Sequence, residues 1–280
     1  MGWESGRVAR ALGTPTRGTT GAQRLRRVDR WLIGTQAALL RTAADPLVVD
    51  LGFGATPVTT VELWHRLRAV RPDVEVVGVE LDPVRVAAAQ VTARPGLTFI
   101  RGGFEIPLSG RRPMVVRALN VLRQYDEADV PAAWAALCAR LAPGGLLVEG
   151  TCDELGRRGC WLAVGSDRLP QELVLSAHLA GAGAGAEPWR PSTLAERLPK
   201  ALIHHNVPGQ PIHALLQAWD RAHDRAAPWS AYGPRVRAVE AGRLLRAQGW
   251  PLTSGPRRWR LGELAVTWAA VAPGPVRAAE

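Results

Sequence analysis

The chain has 280 residues and 47% hydrophobic content, enough for a sizeable core in one large domain or in one domain with additions. No apolar run approaches the roughly 18 residues of a membrane span, and three cysteines (Cys138, Cys152 and Cys160) provide no CxxC pair or even disulfide set. The net charge of +10 suggests nucleic acid, but the arginines are scattered rather than confined to one predicted face, so that partner is possible but not favoured.

The N-terminal region is predicted to be an irregular arm followed by a helix. Residues 1–19 are rich in Gly, Thr and Arg, and the segment 16–21 is dense in hydroxyl and basic groups. This segment is either a solvated arm or a lid over a ligand, with Arg17 near a carboxylate. From about Ala22 to Thr42, apolar residues at helical spacing predict a helix with arginines opposite.

A strand followed by a glycine turn is the feature around which the chain is organised. Residues 47–49 predict a buried strand of a parallel sheet. Gly52 and Gly54 permit a tight turn with positive φ and let a ligand approach bare backbone. Thr56 is the predicted N-cap of the next helix, and Pro57 suits its first position. A strand, a glycine turn and a helix start form the nucleotide-binding corner of a doubly wound α/β sheet.

The acid at the end of this strand narrows the choice of ligand. Asp50 is predicted to point into the crevice beyond the carboxyl edge of the sheet. A carboxylate there would repel the pyrophosphate of a dinucleotide, and Pro57 replaces the third glycine of the dinucleotide motif. Asp50 instead suits a ligand with a cationic amino group.

Four more predicted features follow the glycine turn in chain order. They are a strand at 75–79 ending in Glu80, a strand at 97–100, a strand at 114–119 followed by Asn120, and a Pro-Gly-Gly turn at 143–145 that leads into a fifth strand. Together with Asp50-Leu51-Gly52-Phe53-Gly54, these features resemble class I S-adenosylmethionine-dependent methyltransferases over about residues 45–151.

This resemblance implies an S-adenosylmethionine (SAM) cofactor. It implies that Glu80 accepts hydrogen bonds from the ribose hydroxyls, and that Asp82 either contributes or caps the following helix. The residues that it places at the cofactor are Asp50, Gly52, Phe53, Gly54, Glu80, Leu81, Gly103, Phe104 and Asn120.

Two regions depart from the family pattern. The family often has an acid after a glycine to accept the adenine amino group, where this chain has Gly103-Phe104. Phe104 is predicted to pack on the purine or in the core, or Glu105 serves as the acceptor. After the fourth strand, Asn120 and Tyr125 are the candidate catalytic residues. Further candidates at that strand and loop are Arg117 and Arg123.

The rest of the chain is predicted to contain short strands at 160–164 and 173–179, a Gly-Ala loop at 181–186, a largely helical region and a last strand at 262–271. The predicted division is an arm and helix at 1–44, a SAM-binding α/β core at 45–180, a helical substrate-side addition at 181–250, and a returning strand and tail at 251–280. His204-His205-Asn206 is interpreted as a helix end or surface cluster, so no metal site is predicted.

The sequence therefore predicts an α/β protein with a doubly wound, mostly parallel sheet of the class I methyltransferase type, an N-terminal helical segment and a C-terminal helical addition. The expected activity is SAM-dependent methyl transfer in the cytoplasm, without a membrane, to a small molecule rather than RNA. The alternatives are an aminopropyl transferase of the spermidine-synthase type and a catalytically inactive SAM-binding protein. A dinucleotide oxidoreductase fits less well because of Asp50 and Pro57. The sequence does not predict the oligomeric state.

Overall fold

The computed structural model describes residues 13–14, 20–179 and 189–274. Two sequence predictions lie outside these residues: the placement of Arg17 in the arm and the Gly-Ala loop at 181–186. Within the described ranges, no helix has both the length and the apolar character needed to cross a membrane.

One eight-stranded sheet forms the centre of the molecule. Its strands are β1 (Leu47–Leu51), β2 (Glu75–Glu80), β3 (Leu97–Arg101), β4 (Val115–Leu119), β5 (Leu146–Cys152), β6 (Arg158–Gly165), β7 (Pro170–Ala177) and β8 (Glu263–Thr267). Their spatial order is β3-β2-β1-β4-β5-β6-β7-β8. Strands β1 to β5 pair in parallel, whereas β5 to β8 pair as an antiparallel meander. The order along the sheet reverses between β1 and β4, and ligands bind at such a reversal in open α/β sheets.

Helices cover both faces of this sheet. They are α1 (Arg26–Thr35), α2 (Ala37–Thr42), α3 (Val58–Arg68), α4 (Pro83–Ala89), α5 (Val130–Cys138), α6 (Lys200–Ile203), α7 (Pro211–Arg225), α8 (Pro234–Ala247) and α9 (Pro256–Trp259). Helices α1 to α4 pack on one face, and α5 and most of the C-terminal helices share the core of the other. Because each face is covered, β1, β4 and β5 are buried along their whole length, as expected for central parallel strands.

The predicted α/β fold is confirmed, and the structure corrects two local details and decides a third. The helix predicted from 22 to 42 is interrupted at Gln36, and its first part begins at Arg26. Helix α3 starts at Val58 with Pro57 as its N-cap, so Thr56 does not cap it. Asp82 does cap α4, where it accepts a hydrogen bond from the Val84 amide (2.8 Å).

The C-terminal helical region is part of the main core. Residues 191–206 form a 3-10 segment (Pro191–Arg197) and the one-turn helix α6. Buried side chains of this segment and of α7, including Leu194, Leu198 and Leu215, belong to the same hydrophobic cluster as Val116 and Leu147 of the sheet. These helices therefore bury one face of the sheet and contribute to its stability.

Candidate functional site

The glycine turn after β1 is held by the end of β2. Gly52 and Gly54 have φ values of 70° and 79°, a region that favours glycine because a side chain is strained there. The Gly52 amide donates to the Val79 carbonyl (2.7 Å), and the Gly54 amide donates to Oε2 of Glu80 (2.9 Å). The two strand ends therefore fix the backbone of the turn at the point where the strand order reverses.

Glu80 is the acid at the centre of this arrangement. Its residue is only 1% exposed, and its Oε1 accepts a hydrogen bond from the Leu81 amide (2.9 Å). The Asp82 amide also donates to Oε1 (3.3 Å). A carboxylate has about four lone-pair positions, so the single backbone bond to Oε2 leaves acceptor capacity on that oxygen. Glu80 also lines a small cavity beside the turn.

Asp50 lies beside the same turn, but its charge is already balanced within the protein. Arg117 of β4 donates from Nε (2.9 Å) and Nη2 (2.7 Å) to the two Asp50 oxygens, and the Thr60 hydroxyl donates to Oδ2 (2.6 Å). Arg117 also pairs with Asp29 of α1, which in turn pairs with Arg66. Asp50 lines the cleft, and its contact with a cationic ligand stays a prediction.

Arg117 is therefore not in the substrate loop, where the sequence made it a candidate. Its side chain is fully buried, and the attraction of Asp50 and Asp29 outweighs the effect of burial. Burial lowers the pKa of Arg117 and these two carboxylates raise it, with a net increase. For Asp29, burial raises the pKa even though Arg117 and Arg66 oppose the shift. In the sequence, an arginine within an apolar strand indicates that a buried acid faces it.

Asn120 joins the carboxyl ends of β4 and β5. Its Oδ1 accepts from the Cys152 amide (2.9 Å), and its Nδ2 donates to Cys152 Sγ (3.3 Å). Its φ is 62°, a conformation that Asn adopts more readily than most other residues with side chains. Burial raises the pKa of the Cys152 thiol, so this sulfur is protonated and is not a nucleophile at neutral pH.

Two cavities meet at Leu51 and Gly52. The larger one has a volume of about 290 Å³ and is lined by predicted cofactor residues Asp50, Gly52, Phe53, Gly54 and Asn120. The smaller one, of about 20 Å³, is lined by Gly52, Glu80, Leu81, Gly103, Phe104 and Tyr125. The two cavities thus bring together the nine residues predicted for the cofactor and Tyr125, whereas Arg117, a further candidate, is buried in the sheet and lines neither cavity.

Two aromatic rings line the smaller cavity. Phe104 and Tyr125 lie with ring centroids 5.4 Å apart, and Thr14 of the arm also lines this cavity. The Thr14 amide donates to the Tyr125 hydroxyl, and Gln124 donates to the Thr14 carbonyl (2.7 Å). Glu105, the alternative adenine acceptor, instead accepts a hydrogen bond from the Gly103 amide (2.8 Å).

Further cleft residues come from distant parts of the chain. Thr20, which belongs to the segment 16–21 offered by the sequence as an arm or a lid, donates to the Phe53 carbonyl (3.1 Å) at the edge of the larger cavity. Glu154, at the acidic exit from β5, also lines this cavity, as do Arg24 and Arg197. No local pattern identifies these two arginines, because the distant elements that carry them come together only in the folded chain.

His204 is the C-cap of α6, so the cluster begins at a helix end. His204 is exposed, and His205 pairs with Glu127 (2.5 Å). Across the described ranges, no group of three or more His, Cys, Asp or Glu side chains is arranged to hold a metal ion.

The order β3-β2-β1-β4-β5 of the parallel strands is the doubly wound α/β arrangement that the motifs predicted, and an antiparallel meander follows it. No protein-family model matches the chain, and no curated protein matches it. Among solved structures, the chain is similar to magnesium protoporphyrin IX methyltransferase from Synechocystis PCC 6803 with bound S-adenosylhomocysteine (SAH). The identity is 21%, and the TM-score is 0.35 over 46% of this chain and 54% of that one.

Two other structures with SAM are similar at the same level. Human N-acetylserotonin methyltransferase is 19% identical, with a TM-score of 0.31 over 45% of this chain and 36% of that one. CalS10, an amino pentose methyltransferase from Micromonospora echinaspora, is 24% identical, with a TM-score of 0.34 over 59% of this chain and 66% of that one. At these values, the matches do not determine the activity or substrate of this chain.

Proposed function

We propose that this chain is a SAM-dependent methyltransferase that acts on a small molecule. The observation that carries the proposal is the contact between the glycine turn and Glu80, with a cavity on each side of Gly52. Glu80 has acceptor capacity and lies beside the backbone of the glycine turn, where the strand order reverses. This arrangement suits a ribose that extends one substituent into each cavity.

The residues present fit the cofactor. Glu80 would accept the ribose hydroxyls, Gly52 and Gly54 would admit the ligand against their backbone, and Phe104 would lie beside the base. The smaller cavity is narrow because Phe104, Tyr125 and Thr14 fill it. Entry of a purine there would displace Thr14, which two hydrogen bonds hold in place, one from its amide to the Tyr125 hydroxyl and one from Gln124 to its carbonyl (2.7 Å).

SAM, when bound, supplies an electrophilic methyl group on a sulfonium. This chain would contribute alignment: Asn120 holds the ends of β4 and β5 together beside the larger cavity, where an acceptor fits. Holding two reactants in line is worth about 7–11 kcal/mol of the barrier, so an acceptor that is already nucleophilic needs no protein base. Glu154 is a poor base, because a backbone hydrogen bond and nearby arginines lower its pKa.

The test is transfer of label. The protein is incubated with methyl-labelled SAM and a small-molecule extract of cells, and labelled products are separated and identified. The proposal expects wild-type protein to label a small molecule, and expects Glu80→Ala to lose most of this transfer at limiting SAM. The matched control is Glu240→Ala, because Glu240 lies on α8 outside both cavities.

The outcome also separates the proposal from its alternatives. Accumulation of SAH with a methylated product supports a methyltransferase. Binding of SAM without turnover on any fraction indicates a binding protein. Release of methylthioadenosine from decarboxylated SAM, in place of SAH from SAM, indicates an aminopropyl transferase.

A further inference from the structure

The larger cavity has more positive than negative groups, and we infer that the methyl acceptor is an anionic small molecule whose acid group is bound by Arg123 and Arg197. This inference rests on the proposed function, because it concerns the acceptor of the same site. The acid group is a carboxylate or a phosphate, the two anions that guanidinium groups bind in a bidentate manner.

The charged residues lining this cavity are Arg24, Arg123, Arg197, Asp50 and Glu154. Asp50 is bound on both oxygens by Arg117, so its charge is offset from within the protein. The other charged groups of the lining are Arg123, Arg197, Glu154 and Arg24, which also donates from Nε to the Asp153 carbonyl (3.1 Å).

The three arginines come from separate elements. Arg24 precedes α1, Arg123 lies in the 3-10 turn Leu122–Gln124 after β4, and Arg197 ends the 3-10 segment Pro191–Arg197. All three line the same cavity as Glu154. Their charges lower the pKa of Glu154, after the larger effect of a backbone hydrogen bond. Glu154 is exposed and its single charge does not balance three cations.

Arg197 is the residue that most directly indicates a ligand. Its Nε is buried and has no hydrogen-bond partner within the described part of the chain. Arg123 has one long hydrogen bond, from Nη1 to the Glu196 carbonyl (3.3 Å). A buried guanidinium donor without an acceptor is unfavourable, so an anion that accepts from Arg197 would stabilise the site.

The charge of the cofactor strengthens the argument. SAM has two cationic groups, an ammonium and a sulfonium, and one carboxylate. Even if one arginine pairs with that carboxylate, at least two guanidinium groups remain and the cofactor adds positive charge. An anionic acceptor would offset this excess, whereas a neutral or cationic acceptor would not. The cavity volume of about 290 Å³ is of the size of small-molecule sites.

The experiment uses three aromatic probes on the full chain saturated with SAH. Benzoate carries a carboxylate, phenyl phosphate carries a phosphate, and benzamide is a neutral analogue. Their affinities are measured by calorimetry for wild type, Arg123→Gln, Arg197→Gln and the control Arg235→Gln, an exposed arginine of α8. Melting curves verify that each variant is folded.

We expect at least one anion to bind and benzamide not to bind. Both cleft variants should weaken that binding by about tenfold or more, whereas Arg235→Gln should not change it. The anion that binds more tightly identifies the acid group. Anion binding that is absent in wild type, or equal in the folded cleft variants, would overturn the inference.

The same titrations distinguish failure of the proposed function from failure of the anion site. If SAH does not bind, the same probes are titrated into ligand-free protein. Arginine-dependent anion binding there would leave the anion site standing while the methyltransferase proposal fell. If SAH binds and the anions do not, the methyltransferase proposal survives and the anionic acceptor is rejected.

Discussion

At the scale of single residues, Arg117 carries a charge into the centre of the sheet. It is fully buried and pairs with Asp50 and Asp29. Removing one partner of a buried ion pair is costly because the other charge is left uncompensated. The pairing also holds β1 and β4 in register at the position where Asp50 faces Arg117, next to the glycine turn.

We expect Arg117→Leu to lower the free energy of unfolding by about 3–5 kcal/mol, because Asp50 would lose both of its guanidinium bonds. Urea unfolding followed by circular dichroism measures the change. The exposed residue Arg140 provides the control, and Arg140→Leu should change stability by no more than about 0.5 kcal/mol. Equal stability of the two variants would mean that the buried pairs contribute nothing.

Glu149 is a second buried charge-bearing residue, and it has no ionic partner of this kind. Neither carboxyl oxygen has a hydrogen-bond partner within residues 13–14, 20–179 and 189–274. Burial raises its pKa from 4.5 to about 8, with a small opposing effect of Trp134. The folded protein therefore retains this proton over a pH range in which the unfolded chain has lost it.

This shift predicts a pH-dependent effect of Glu149→Gln. Between about pH 4.5 and pH 8 the native state binds more protons than the unfolded state, so Glu149 lowers stability as the pH rises, by up to about 1.4 kcal/mol per unit. The variant should therefore gain stability relative to wild type from pH 5.5 to pH 7.5 in urea titrations. A difference that stays constant over this range would contradict the assigned pKa.

At the scale of elements, the antiparallel half of the sheet depends on a close approach at Gly150. A Cβ built there would lie 2.2 Å from the Cys160 carbonyl oxygen and 2.5 Å from the Trp161 Cα. Both are backbone atoms of the paired strand β6, so they cannot rotate away. The hairpin of β5 and β6 therefore requires glycine at this position.

We expect Gly150→Ala to destabilise the protein by about 1–3 kcal/mol or more, because the strands must separate to relieve the overlap. Gly21→Ala is the matched control, since a Cβ there has no neighbour within 4 Å and its φ is not left-handed. Thermal melting of both variants tests the prediction. Similar melting temperatures would show that the sheet accommodates the methyl group.

At the scale of elements, most strands and helices were predictable from the sequence, whereas the spatial order of the last strands was not. Strands β1 to β5 and their terminal glycines and acids were predictable because each is a local signal. Helices α7 and α8 were predictable because prolines mark their starts and apolar residues recur at helical spacing. The spatial order of β6 to β8 was not, because it depends on which sheet edge is free.

The candidate site was predictable to a similar degree. The residues at strand ends, such as Gly52 and Glu80, line the cavities as expected. The partners of Asp50 and the arginines around Glu154 were not predictable, because they meet only through long-range contacts. A sequence pattern identifies residue types at strand ends, but it does not give the pairing of their charges.

At the scale of the whole molecule, helices cover both faces of the sheet, and the candidate cleft lies at the carboxyl ends of its parallel strands. The carboxyl ends of β1, β2, β4 and β5 meet there, and the N-terminal arm and the 3-10 segment at 191–197 contribute residues to the same cleft. The helical region that supplies Arg197 also buries one face of the sheet. Substrate contacts and stability are therefore coupled in this region.

The central claim is that this cleft binds SAM and its product, and calorimetry tests it most directly. SAM, SAH and a nicotinamide dinucleotide are titrated separately into the full chain. We predict one SAH site, no dinucleotide binding, and stabilisation of about 2.7 kcal/mol against unfolding at an SAH concentration one hundred times the dissociation constant. Binding of the dinucleotide, with none of either SAM or SAH, would contradict the account.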